Sequence, residues 1–512
     1  MRSAVLTSSE ASHDRMLSLD QLSRMVKEHL GLYSSVDGVL HSSKWEIGES
    51  SVGGRGLIAT EDILPGEVLF VDHPLISGPR AASIEQGGCT ACYKYDTENV
   101  VKCLKCGLLL CSKQCQNSDV HFTDCNIISR WEKKMPVEEF SDKTVSRALT
   151  AIRVLLLNED QKQLLFALQA HMLPQHGTEI RDLKQYFEIP ESEEDLMRLA
   201  CCVLDANAYQ IAIAYGKKEM SRRGLYPVAS LMNHNCVPNT RHSYNSDAQM
   251  TVKAIKHIRA GCEIFTCYSG FLWGTPSRQT QLYNTKHFLC KCDRCADPTE
   301  RGTLLAALKC FVTECPGSIL PIQPLNMASA WQCLECGLRV PRKNVGAVQS
   351  AIGSLLGSID FGDVDHLENY LANRITKYIP KTNQVVVDLQ CRIIWEFGEV
   401  EGLRYHELSE SRLSLKETLC RGTLRTVATL GAGDAHLRGL LLYHLHAALA
   451  ERARRSPDLF EELKPEIEST IEQAYSILQG DVSAPPDLEL RRRYLGPGCD
   501  KPQEERFFIL DA

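Results

Sequence analysis

Apolar positions along the chain change their spacing several times, and those changes divide it. Residues 1–44 are polar and serine-rich except for one stripe, Leu22, Met25, Val26 and Leu30, whose three- and four-residue steps predict a helix. Ser18 and Gln21 stand at capping-box spacing around its start. This N-terminal extension is expected either to dock through that helix or to hang loosely. Over 45–80 the chain reads as short strands, Gly56–Thr60 and Glu67–Asp72, broken by glycine and Pro-Gly turns. Residues 126–205 return to helical spacing, with Val145, Leu149, Ile152, Leu155 and Leu156 on one stripe and Leu164, Leu165, Leu168 and Met172 on another. Strand-like runs reappear over 225–268, clearest at Met250–Ile255 and Glu263–Tyr268. From 344 to 480 the pattern is helical throughout. Val345, Val348, Ile352 and Leu355 share one face, and Leu437, Leu440, Leu441, Leu445 and Leu449 share another. Short turns between such segments predict a stacked helical array without a fixed repeat. The charged tail, 481–512, is expected to be loosely held. Two blocks of strands flanking a helical stretch predict an α+β protein whose β-rich domain carries an insertion.

Composition narrows what this architecture does. A chain of 512 residues is too long for one core, so two to four domains are expected. With 44% hydrophobic and 24% charged residues it has globular composition. The formal net charge of -7, with neither end strongly basic, argues against direct nucleic-acid binding as the main activity. No apolar run approaches the roughly 18 residues of a membrane span. Glu10 and Asp14 interrupt what a secretory signal would need to keep apolar. A cytoplasmic or nuclear setting follows, and there 22 cysteines are better explained by metal ligation than by disulfides.

Cysteine spacing supports that reading. Cys89-x2-Cys92 and Cys103-x2-Cys106 are followed by Cys111, Cys115, His121 and Cys125. Eight soft or borderline ligands in residues 89–125 predict two closed zinc sites with no position left for a reactive water. The order and spacing resemble the MYND zinc finger, a module for peptide and protein partners. That resemblance implies interleaved ligands: Cys89, Cys92, Cys111 and Cys115 on one ion, and Cys103, Cys106, His121 and Cys125 on the other. So small a segment would draw most of its folding energy from metal.

Four further pieces recur in order. Gly53-Gly54-Arg55-Gly56 forms a turn before a strand; Asn207 lies in DANAYQI; Gly224 to Asn239 reads GLYPVASLMNHNCVPN; and Tyr268 closes EIFTCY ahead of Phe288-Leu-Cys-Lys-Cys-Asp-Arg-Cys295. Together they resemble the SET domain of protein-lysine methyltransferases. With the inserted finger and the helical C-terminal region, residues 45–480 resemble the SET-and-MYND (SMYD) family, nearest its divergent arthropod-type branch. The implied organisation is a SET domain split into 45–80 and 206–270 by the finger and the helical insertion. A post-SET segment (271–300), a zinc-ribbon-like segment (301–343) and the helical domain (344–480) then follow.

The resemblance also implies roles. Gly54, Arg55 and Gly56 would approach S-adenosylmethionine through backbone, because glycine has no side chain in the way. Asn207 and Asn233 would hold its amino-acid end, His234 would lie near the adenine, and Phe288 would stack on it. Tyr268 would orient the reacting amine. Read as residues alone, the glycines also suit a hairpin turn, Tyr268 a core strand position, and Phe288 ordinary packing. Cys290, Cys292 and Cys295 supply three thiolates, and Cys236 matches the family's fourth ligand, giving a third zinc. Cys310, Cys315, Cys333 and Cys336 have ribbon-like spacing that leaves a fourth zinc or buried thiols open. Lys286 stands where active relatives often carry a channel aromatic; its ammonium would repel an incoming one unless it points to solvent. The implied activity is protein-lysine N-methylation of a histone or non-histone substrate. The alternative is an inactive SET/MYND scaffold that recruits partners through its finger and helical array, for instance in transcriptional control.

Overall fold

The computed structural model describes residues 17–31, 43–85, 87–95, 100–141, 143–171, 173 and 176–510. Met172, expected on a helical stripe, lies outside them, as does most of the N-terminal extension. The part of the extension that is described is a docked helix, α1 (Leu19–His29), with the capping box at Ser18 formed and Leu22 and Val26 buried. His29 Nε2 stands 3.0 Å from the buried carboxylate of Asp72 and anchors its far end.

Among the described residues, ten strands build the β domain: β1 (Trp45–Glu49), β2 (Arg55–Ala59), β3 (Val68–Asp72), β4 (Ile76–Pro79), β5 (Tyr209–Ile211), β6 (Arg222–Leu225), β7 (Asn233–His234), β8 (Thr240–Tyr244), β9 (Met250–Ala254) and β10 (Glu263–Thr266). They form three small sheets, ordered β1-β2-β10-β7, β4-β6-β5 and β8-β9-β3. Every sheet joins strands from before residue 80 to strands from after 208. The two sequence blocks are therefore one domain. Most pairings are antiparallel, but β7 runs parallel to β10, with Asn233 opposite Phe265 and His234 opposite Thr266. That pairing threads the NHNC segment beside the strand that leads to Tyr268.

The helical insertion shares this core. Helices α2 (Thr144–Ile152), α3 (Glu159–Phe166) and α4 (Glu191–Asn207) bury Leu149, Ile152, Leu165 and Val203 in one apolar cluster with Trp45, Leu57, Val252 and Ile264. A second core lies C-terminal. There a four-stranded antiparallel sheet (Leu308–Lys309, Ser318–Pro321, Trp331–Cys333, Arg339–Val340) packs Leu308, Ile319, Trp331 and Val340 against the helical array. Helix α5 (Thr275–Lys286) connects the two regions, and the array comprises α6 (Arg342–Leu356), α7 (Val364–Asn373), α8 (Gln384–Glu396), α9 (Glu410–Leu430), α10 (His436–Arg455) and α11 (Phe460–Leu478).

The array touches the β domain through backbone groups. Val482 N donates to Tyr244 O (2.7 Å), Asp434 N to Ile255 O (3.2 Å), and Arg241 Nη1 to Asp434 O (2.7 Å). The tail differs from the expected loose segment. Helix α12 (Leu488–Leu495) buries Leu488, Arg491 and Leu495, with Arg491 paired to Asp487 and facing the Tyr443 ring. Its charged composition conceals one apolar face with a paired arginine. No helix among the described residues is long and apolar enough to cross a membrane.

Candidate cofactor and zinc sites

The cysteines gather as their spacing requires. Four groups form among the described residues: Cys89, Cys92, Cys111 and Cys115; Cys103, Cys106, His121 and Cys125; Cys236, Cys290, Cys292 and Cys295; and Cys310, Cys315, Cys333 and Cys336. Within each group all ligand atoms lie within 4.8 Å of one another. Tetrahedral zinc with Zn–S of about 2.3 Å sets its sulfurs about 3.8 Å apart. The observed Sγ–Sγ distances of 3.6 Å (Cys92–Cys111), 3.5 Å (Cys236–Cys295) and 3.7 Å (Cys315–Cys333) fit that geometry. In the second group His121 turns Nε2 toward Cys106 Sγ, and its Nδ1 lies 2.6 Å from the Gln116 carbonyl, which fixes the ring as a ligand. The fourth set, open between zinc and buried thiols from spacing alone, has the same converged donors, held on the two turns of the small sheet.

Two buried arginines support the third group. Arg278 Nε lies 3.2 Å from Cys236 Sγ and its Nη2 3.4 Å from Cys295 Sγ, while Arg294 Nη1 reaches the Cys236 carbonyl. Glu300 is buried between both guanidinium groups. Zinc held by four thiolates carries excess negative charge, which these arginines offset in a place water does not reach. Arg278→Met is expected to weaken zinc at this group about 10- to 100-fold, the range for outer-shell partners. A competition with a chromophoric chelator, counting ions retained per chain, would read the loss at one site only.

A second constellation lies where β2, β7 and β10 meet. The preceding turn places Gly53 and Gly54 at φ of 110° and 72°, a region L side chains avoid, and both are open on the side where a Cβ would project. At Gly56 an added Cβ would stand 2.5 Å from Glu263 Oε1 and 3.0 Å from Asn233 Nδ2. Glycine is therefore required there by close approach. Asn233 Nδ2 donates to the Arg55 carbonyl (2.9 Å) and to Glu263 Oε1 (2.8 Å). The same carboxylate accepts from Ser50 Oγ (2.7 Å), Ser51 N (3.2 Å) and Ser51 Oγ (3.0 Å). Glu263 thus fastens the glycine turn to Asn233. The Arg55 side chain turns away and donates to the Ala167 carbonyl in the helical insertion.

Tyr268 faces inward. Its backbone N donates to His234 Nδ1 (2.9 Å), its ring lies 5.3 Å from that of His234, and its hydroxyl donates to the Met232 carbonyl (2.6 Å). Burial raises the phenol's pKa, so Tyr268 keeps its proton as a donor. His234 is buried, which lowers its pKa to about 4, and its Nε2 faces Cys236 Sγ at 3.2 Å. Both its nitrogens are engaged within the protein, and the neutral ring links the third zinc group to Tyr268. Phe288 stands 5.9 Å from His234. Asn207 ends α4 and spends its amide N–H groups on the Gln169 (2.6 Å) and Val203 (2.8 Å) carbonyls, leaving its own Oδ1 for other use. Lys286 does not snorkel to solvent. It points into the protein, where Nζ donates to the Ala206 carbonyl (2.5 Å).

Residues 54–269 match the model of the SET domain. The chain is 30% identical over 436 residues to the SET domain-containing protein SmydA-8, isoform B, of Drosophila melanogaster, covering 83% of this chain and 94% of that protein. The chain belongs to the SMYD family. More distant SMYD and SET relatives include histone-lysine N-methyltransferase ASHR1 of Arabidopsis thaliana (27% over 296 residues; 52% of this chain, 59% of that protein). Histone-lysine N-methyltransferase SMYD3 of Mus musculus is 25% identical over 308 residues, covering 54% of this chain and 68% of that protein.

Three features of this SMYD chain escaped the sequence reading. Glu263 was visible only as an acid heading a buried strand. Asp72, fully buried, accepts from Val228 N (2.9 Å) and Ala229 N (2.8 Å) and so sets the turn that leads into Asn233. Arg278, Arg294 and Glu300 flank or sit among the cysteines without a spacing rule of their own. Glu263 and Asp72 at least border apolar strand runs, where a charge can mark a buried hydrogen-bonded residue, whereas Arg278, Arg294 and Glu300 lie among polar neighbours that carry no such signal.

Proposed function

We propose that the chain is an S-adenosylmethionine-dependent protein-lysine N-methyltransferase. The observation that carries this reading is the junction of the glycine turn, Asn233 and the His234–Tyr268 pair, brought together from residues more than 150 apart in sequence. The open faces at Gly53 and Gly54, where nothing stands within 4 Å of an added Cβ, fit a ligand that approaches backbone closely, and the close approach of Glu263 and Asn233 at Gly56 fixes the turn that presents them. Gly54, Gly56, the Arg55 backbone and Asn233 would hold the amino-acid end of the cofactor, Asn207 Oδ1 would contribute an acceptor, and His234 and Phe288 would wall the adenine. When bound, the cofactor supplies an electrophilic methyl group on a sulfonium. The chain's residues would bind, orient and exclude water: the Tyr268 hydroxyl and the Met232 carbonyl would stand beside the reacting centre, so that positioning and fixed dipoles accelerate transfer without a covalent intermediate.

The segments serve this purpose in our reading as follows: 45–80 and 206–270 are the catalytic domain, 89–125 a zinc finger for peptide or protein partners, and 344–480 a wall for the protein substrate. A cytoplasmic or nuclear site of action agrees with the thiol-rich composition. One observation favours the second reading, an inactive scaffold: a cation stands beside Tyr268 where an acceptor would come. Incubating the zinc-loaded chain with methyl-labelled S-adenosylmethionine and whole-cell extract separates the two. Label on protein lysines is expected; a cofactor-binding chain that labels nothing would favour the scaffold.

A further inference from the structure

Helix α5 ends at His287, a non-glycine residue held at φ 60°, so the chain turns sharply between Lys286 and Phe288. Phe288 is thereby set near His234, and Lys286 near Tyr268, its Nζ 5.5 Å from the ring centroid. The amine has a fixed partner there. Ala206 lies in the last turn of α4, where carbonyls have no intrahelical donor, and Lys286 Nζ satisfies that carbonyl. A cation at a helix C-terminus also meets the negative end of the helix dipole, and the charge of Asp205 adds to it. The aromatic face of Tyr268 completes the seat. Burial of this seat lowers the Lys286 pKa to about 8.

We infer that Lys286 decides what the acceptor channel admits: its own amine takes the place beside Tyr268 that a substrate lysine would occupy. The inference rests on the reading that Tyr268 stands at the reacting centre. A second ammonium entering the same seat would meet a like charge and would have to displace Lys286 from the Ala206 carbonyl, which α4 cannot satisfy by itself. The site would therefore hold cofactor while resisting free lysine side chains, and would act only on a partner that supplies an alternative seat for Lys286.

The test uses the full zinc-loaded chain, Lys286→Phe and Lys286→Met. The second variant, nearly matched to lysine in length and lacking charge, guards against misfolding by the first. S-adenosylhomocysteine is titrated into each by calorimetry. Nα-acetyl-L-lysine amide is then added to the nucleotide-bound chains, its binding followed by ligand-observed NMR. Equal nucleotide affinity in all three chains, with the lysine probe bound at least about tenfold more tightly by either folded variant, is the expected result. Nucleotide binding with equal probe affinity in wild type and variants would overturn the role given to Lys286 alone. Absence of nucleotide binding in every chain would instead overturn the methyltransferase reading.

Discussion

Gly56→Ala is expected to abolish useful cofactor binding while leaving the zinc groups filled. The added methyl would stand 2.5 Å from Glu263 Oε1 and 3.0 Å from Asn233 Nδ2, closer than packed atoms allow, so one of them must move. Moving the carboxylate breaks its bonds to Ser50, Ser51 and Asn233 together, because all three converge on one side chain. Hydrogen bonds to a charged group contribute about 1.5–3 kcal/mol each. If two of them must be re-formed for the turn to accept a ligand, affinity falls on the order of a hundredfold or more. Overpacking alone would cost the fold about 1–3 kcal/mol. Calorimetric titration of S-adenosylmethionine reads the first effect, and thermal unfolding followed by circular dichroism reads the second. Unchanged affinity would mean that the turn takes no part in the site.

Tyr268→Phe carries the second large effect, and it falls on turnover. The hydroxyl is a fixed donor: burial keeps it protonated, His234 holds its backbone, and the Met232 carbonyl holds its oxygen. With its one proton given to the Met232 carbonyl, the hydroxyl offers its oxygen lone pairs to the incoming amine, and removing one such preorganised dipole at a reacting centre costs about 10²–10³ in kcat. Cofactor affinity should stay within a few-fold, because the glycine turn and Asn233 do not bond to that hydroxyl. Single-turnover methyl transfer beside a binding titration separates the two quantities. A variant that loses binding in proportion to rate would make Tyr268 a packing residue of the cleft.

The parts of this protein legible in its sequence share one property: the signal repeats locally. C-x2-C pairs a few residues apart, alternating strands such as Met250–Ala254, and the helical stripe of Leu437, Leu441, Leu445 and Leu449 in α10 each state their structure within one window. The NHNC segment and the EIFTCY strand were recognisable as pieces, and the sheet joins them, Asn233 opposite Phe265, by a parallel pairing that no local pattern specifies. Hubs were not legible, because a single carboxylate draws its donors from far away. Ser50 and Glu263 are 213 residues apart, and Asp72 and Val228 are 156. The tail was misread for a different reason. Arg491 and its neighbours look solvated by composition, yet Asp487 pairs with the guanidinium and lets Leu488 and Leu495 carry it inward. Lys286 illustrates the same limit: its position in sequence showed a cation near the channel, and only the carbonyl of Ala206 decides which way it points.

Everything enzymatic depends on residues near 55 and residues near 233–268 closing on one ligand. Titrating S-adenosylmethionine into folded chain whose four cysteine groups are filled with zinc asks this most directly. Saturable binding of one equivalent, lost in Gly56→Ala, is the predicted result. A flat titration from that same metal-loaded, folded protein would contradict it.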